Sequence, residues 1–174
     1  MDLLDVSESE PTARPSPPSD LSDPAAALDA NALWARIEAW CAWRWGERSV
    51  TWIIQGPGQF LPPLQPATVD TVEVWNDGVW TETTLAAAPL GLEVPDGVYR
   101  ITATVGTADD PPADVLEAYR RLAEYLADDS HVGRVPTSAS RSASGVSINV
   151  ERPAAWQAKA LHYSGAADLL RRWR

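Results

Sequence analysis

An α+β fold is expected, with two or three helices packed on a small antiparallel sheet of hairpins and with extended N- and C-terminal arms. Three observations predict it. Between residues 49 and 106, short runs rich in Val, Ile, Thr and Trp alternate with turn signals made of Gly, Pro, Asn and Asp. That is the spacing of antiparallel strands. On either side of this region apolar residues recur three and four apart, the helical period. The opening of the chain is different again: Pro11, Pro15, Pro17, Pro18 and Pro24 sit among acids, with Arg14 the single base.

Residues 1–28 therefore read as a disordered acidic, Pro-rich arm, which buries too little apolar area to offset its ordering entropy. A core domain is expected over 29–130. Its first helix starts near Asp29 or Asn31, both good N-caps, and runs to Trp45, ahead of Gly46. Leu33, Ile37, Trp40 and Trp43 or Arg44 form its buried face, while Trp34, Cys41 and Trp45 fall off that face. Residues 49–55 form a strand that Gly56-Pro57-Gly58 ends, and residues 61–66 hold too many prolines for a central strand. Residues 68–75 alternate apolar and polar side chains. Asn76-Asp77-Gly78 then turns the chain into a return strand at 79–83. A second hairpin is expected from 92–94 and 98–106 around Pro95-Asp96-Gly97. Pro111 and Pro112 suit the start of a second helix, on which Val115, Leu116, Tyr119, Leu122, Ala123 and Leu126 make an apolar stripe. Residues 131–150 read as a flexible loop with a possible strand at 146–150. Residues 151–174 read as a C-terminal helical arm, with a helix at 153–162 and a short one after Gly165.

Composition excludes several function classes. The net charge is −10, from 24 acidic and 14 basic residues. General nucleic-acid binding needs a basic face to neutralise phosphates, and an acidic chain lacks one. Attraction to an anionic membrane is disfavoured for the same reason. With Cys41 as its only cysteine the chain forms no internal disulfide, which suits a cytosolic setting. There is no apolar run long enough to cross a membrane, and the first residues do not read as a signal peptide.

Chemistry finds little support, and no enzyme is expected. His131 and His162 are far apart and neither stands in an HExxH or CxxC setting, so no catalytic residue, metal or cofactor is assigned. Cys41, between Trp40 and Ala42, carries no nucleophile signature. Gly56-Pro57-Gly58 is not a phosphate-binding loop, and Asp109-Asp110 and Asp128-Asp129 suit solvated helix ends.

Two features point to assembly instead. Nine tryptophans in 174 residues are more than one small core needs, and Trp is enriched at binding hot spots. Trp34 and Trp45, left off the buried face, are assigned to a subunit interface or an inter-element contact. The chain's end, Leu169, Leu170, Arg171, Arg172, Trp173 and Arg174, reverses the local sign of charge. Three readings stay open for it: a last helical turn with Leu169 and Leu170 packing on the parent domain, a docking peptide for an acidic partner, or a contact to a phosphate backbone.

The order of these elements resembles the tailed-phage head–tail connector (adaptor) proteins, above all the adaptors of gene transfer agents, which are phage-like particles. The likeness rests on the helix that passes into strand material at Trp45-Gly46-Glu47-Arg48-Ser49-Val50-Thr51-Trp52, on Pro66-Ala67-Thr68-Val69-Asp70-Thr71-Val72-Glu73-Val74, and on the Pro-led helix from Pro111-Pro112. It covers roughly residues 30–130. The resemblance implies an oligomeric ring, commonly of twelve subunits, below the portal at the head–tail junction. Such a ring passes DNA through its lumen without specific binding and receives a tail-side stopper protein. It also implies virion assembly in the bacterial cytoplasm, no membrane partner, and portal binding by residues 169–174. The long acidic arm departs from the family's compact pattern. The alternative reading is a free-standing protein-binding module with no catalytic activity.

Overall fold

The structure, a computed structural model, describes the backbone of residues 1–128, 138–143, 146–151 and 157–174, with side chains over 1–128 and 157–174. Among the described residues, five helices and antiparallel sheets make an α+β protein. The chain divides into two compact units. One, mainly strands, comprises residues 1–15 and 42–110; the other, mainly helices, comprises residues 16–41 and 111–174. The boundaries expected at residues 28, 130 and 150 are not those of these units.

The strand unit is built on β2 (Arg48–Gln55) and β8 (Val98–Val105), paired along their whole length. Both alternate buried and exposed positions, so Val50, Trp52 and Ile54 share one face with Ile101, Ala103 and Val105. β4 (Ala67–Asn76) pairs with the other side of β8, and β5 (Val79–Glu82) returns from it. The hairpin turn is Asp77-Gly78, with φ of 47° and 86°. Two positive values in succession make the turn type that matches strand twist, for which Asp-Gly is favoured. A bulge between Val69 and Thr71 explains the Val-x-x-Val spacing. The extra residue restores the phase, so Val69, Val72 and Val74 all pack on the same core.

A second sheet of β3 (Gly58–Phe60), β7 (Gly91–Val94) and β6 (Ala86–Ala88) supplies Phe60 and Val94 to that core. Phe60 meets Trp52 edge-on at 5.6 Å between ring centroids. The hairpin expected between 92–94 and 98–106 therefore does not form. β7 pairs with β3 and β6, because both edges of β8 are taken by β2 and β4. The Pro95-Asp96-Gly97 turn carries the chain from one sheet to the other, fixed by a bond from the Gly56 amide to the Gly97 carbonyl.

Residues 1–28 are not the disordered arm that composition suggests. β1 (Asp2–Glu8) lies antiparallel on β2, completing a five-stranded sheet of order β1-β2-β8-β4-β5. Ladder bonds and ion pairs hold it rather than burial, and composition does not register those.

In the helical unit, Ser22 caps α1 (Asp23–Ala26) and Asp29 caps α2 (Ala30–Trp40) by accepting from the Asn31 amide. Helix α2 ends at Trp40, five residues before the expected stop. Residues 42–46 belong to the strand unit, where Trp43 and Trp45 form isolated bridges with Gln65 and Thr107. There the Arg44 amide donates to the Gln65 carbonyl at 2.7 Å and the Gly46 amide to the Thr107 carbonyl at 2.9 Å. Aromatic residues favour strand over helix, and here tertiary pairing decides. Helix α3 (Ala113–Ala127) follows Pro112 and meets α1, α2, α4 (Ala160–Tyr163) and α5 (Ala166–Leu169). It buries Val115, Ala118, Tyr119, Leu122 and Ala123, while Leu116 and Leu126 stay half-buried. A 3-10 turn, Arg171–Trp173, ends the chain. The loop expected over 131–150 contains a hairpin of β9 (Ser138–Ala143) and β10 (Val146–Glu151). Residues 131–137, 144–145 and 152–156, the last within the expected helix at 153–162, lie outside the described residues.

Candidate protein-docking surface

The C-terminal segment is held on the helical unit by its own side chains. Leu170 is fully buried with Ala166, Leu161 and Ala160. Asp114, in the first turn of α3, receives Arg172 Nε at 2.9 Å and Trp173 Nε1 at 3.1 Å. A carboxylate there also faces the positive end of the helix dipole. Arg174 stacks on Trp40 at 4.4 Å, and His162 meets the same indole edge-on at 4.8 Å. Arg171 pairs only locally, with Asp168, and its side chain remains 79% exposed.

Of the six residues assigned to portal docking, the structure brings together Leu170, Arg172, Trp173 and Arg174, but against their own domain. Leu170 belongs to the core, so it is not an anchor available to a partner. Trp173 is half-buried and Leu169 likewise, which leaves Arg171, Arg172 and Arg174 on the surface. The packing follows the first of the three readings of this segment. Asp114 and Trp40 were missed as its partners, since neither stands near residues 169–174 in sequence.

Trp34 and Trp45, assigned to a subunit interface, are instead buried, at 0% and 1% exposure. Trp34 packs on Tyr119 at 4.9 Å. Trp45 is fixed where the chain pairs with Thr107. The residues expected in the core, Trp40 and Trp43, are the half-buried ones. For Trp43 and Trp45 the inversion follows from the early end of α2, since a helical period drawn beyond Trp40 assigns the wrong side. Within α2 the buried face is Leu33, Trp34, Ile37 and Glu38, with Trp34 against Tyr119 of α3.

The strand unit exposes a different aromatic cluster. At the β4–β5 hairpin, Trp75 and Trp80 lie 5.0 Å apart, Trp75 is 45% exposed and Val79 62%. Arg100 stacks on Trp80 at 4.7 Å and forms a forked pair with Glu73, at 2.6 and 2.7 Å. The hydrogen bond from Arg100 holds the Glu73 carboxyl below its ordinary value. An alternating strand that ends in Trp on both sides of an Asp-Gly turn is the sequence signal for this cluster.

Among the described residues, those weighed for chemistry do not converge. His162 is exposed, Cys41 is buried, His131 and Asp129 lie outside the described residues, and Asp109 bonds Thr107. Among the described residues, no group of three His, Cys, Asp or Glu could hold a metal ion. No helix there is long and apolar enough to cross a membrane. No protein-family model matches the chain, and neither a curated protein nor a solved structure matches it.

Proposed function

We propose that the chain is a non-enzymatic head–tail adaptor of a phage-like particle, of the gene transfer agent kind. It forms a ring below the portal, joins the DNA-filled head to the tail-side stopper, and lets DNA pass. The observation that carries this reading is the basic end of the chain. Arg171, Arg172 and Arg174 are exposed on a protein of net charge −10. Arginines that keep one face solvated are suited to an acidic partner surface. The succession of α2, the sheet strands and the Pro-led α3 also resembles that of the connector family, in which a C-terminal segment commonly reaches the portal. An acidic body favours a conduit for DNA, because like charge keeps the polyanion from adhering to a wall.

The docking contact is electrostatic and shallow, since Leu170 is committed to the core. Co-elution with the portal protein of the same particle tests it. The parent chain is expected to co-elute with the portal, and Arg171→Glu/Arg174→Glu is expected to lose co-elution while melting close to the parent. A parent chain that passes through unbound, or a variant that binds equally well, would overturn the reading.

A further inference from the structure

The strand β1 is attached in an unusual way. Each of its seven residues is exposed, so it gives no side chain to the core, and Leu3, Leu4 and Val6 are between 44% and 53% exposed. Its outer side pairs with no strand among the described residues. What fixes it is the ladder to β2 and one carboxylate. Glu8 accepts from Arg44 at 2.7 and 3.2 Å and from Arg48 at 2.9 Å, and both arginines are buried in the strand unit. The ladder continues through Ser9, whose amide donates to the Ser49 carbonyl, and Thr12, whose amide donates to the Glu47 carbonyl. Beyond it, Pro15, Pro17 and Pro18 fall within four residues. Such a Pro-rich run favours stiff, extended backbone.

We propose that β1 is an exchangeable strand, and that its second seat is the β2 edge of another copy of this chain. The receptor is the same in every copy: the β2 ladder positions and a slot lined by Arg44 and Arg48. A second copy's β1 brings the matching register and the matching Glu8, so exchange gives up none of the bonds that fix the strand in its own chain. Burial of a β1 core face would have tied the strand to one partner, and there is none. Bringing two copies together can cover Leu3, Leu4 and Val6, each about half exposed in the single chain. Exchange of an identical element between protomers is a low-cost route to association. The acids Asp2 and Asp5 and the bulge between Leu3 and Asp5 disfavour pairing on the outer side of β1, and the Arg44–Arg48 slot makes a strand that carries Glu8 the favoured occupant of the β2 edge. The inference concerns two copies of this chain alone and stands apart from portal binding.

Cross-linking in trans tests it on full-length protein. An isotope-labelled Ser9→Cys chain is mixed at high concentration with an unlabelled Ser49→Cys chain, incubated so that β1 can open, and treated with a short bis-maleimide. Ser9 and Ser49 are both exposed and adjacent across the ladder, and Cys41 is buried, so the unmodified chain is the blank. The expected product joins position 9 of the labelled chain to position 49 of the unlabelled one. It should exceed by at least about tenfold the product from Ser9→Cys mixed with Glu82→Cys, an exposed residue on the opposite edge, because seated pairing raises effective concentration far above random encounter. A single chain carrying both Ser9→Cys and Ser49→Cys reports the seat in cis. Cross-linking in cis with trans product at background overturns the exchange. Absence of product in cis overturns the register on which it stands.

Discussion

Single residues show where steric space and backbone conformation part company. A Cβ added at Gly56 would run into the backbone carbonyl of Pro95, which the sheet-to-sheet turn holds in place. A Cβ at Gly78 meets nothing, but φ is +86°. Gly56→Ala is therefore expected to destabilise by about 3 kcal/mol, the upper end for overpacking against fixed atoms. Gly78→Ala should cost only about 1 kcal/mol, from the left-handed backbone alone. Urea titration of the two variants checks the order, and equal midpoints would show that the Pro95 turn yields. The Gly78 position was legible in the sequence, because Asn-Asp-Gly between alternating strands specifies its turn. The Gly56 constraint was not, since it arises from Pro95, 39 positions on, and the burial of Trp34 arises from Tyr119, farther still along the chain.

At the scale of elements, local signals named most helices and strands, but pairing decided their extent and their partners. Asp29 as N-cap, the α3 stripe and the β4–β5 hairpin were all readable from short-range chemistry. The end of α2 at Trp40 was not, because no Gly or Pro stands at the Trp40-Cys41 break, the first Gly being Gly46, and residues 42–46 are drawn into pairing by Gln65 and Thr107. Nor was β1, whose composition resembles a tail. The candidate site was half legible: the basic end stood out, whereas its seating depends on Asp114 and Trp40, over 50 residues away for the first and more for the second. The seating has a consequence for α5 and the terminal turn. Leu170→Ala removes a fully buried side chain and is expected to cost about 2–5 kcal/mol. Arg171→Ala, an exposed residue with only a local ion pair, should change stability by less than about 0.5 kcal/mol. Thermal melting of both variants tests whether the segment is an integral part of the helical unit. A Leu170→Ala protein as stable as its parent would mean that residues 166–174 are a detachable arm.

Across the whole molecule, the carboxylates set a pH dependence with a definite sign. Glu117 is lowered to about 2 by hydrogen bonds from Arg120 and Arg121, and Glu124 is lowered by the backbone and hydroxyl of Ser22. In the strand unit, Glu73 is lowered by Arg100. Burial pushes Glu8 up, but the hydrogen bond from Arg44 and the charges of Arg44 and Arg48 outweigh it, so Glu8 is lowered as well. All four start from an ordinary value of 4.5. Each group therefore takes up its proton in the unfolded chain first. Their contribution is complete well above pH 4.5 and is lost as pH falls below it through each group's lowered folded value, which for Glu117 is about 2. The net charge of −10 works the other way, since protonating any carboxylate relieves repulsion within the folded body. That relief is general to 24 acids and depends little on any one of them. The two effects separate by substitution. Glu117→Gln and Glu8→Gln should each lower the melting temperature near neutral pH and narrow the gap from the parent as pH drops below 4.5, one reporting on the helical unit and the other on the strand unit. Melting followed by circular dichroism across that range decides it. A gap that stays constant with pH would show that neither carboxylate's ion pairs contribute to folding, and for Glu8 it would also remove the anchor that fixes β1 to its edge.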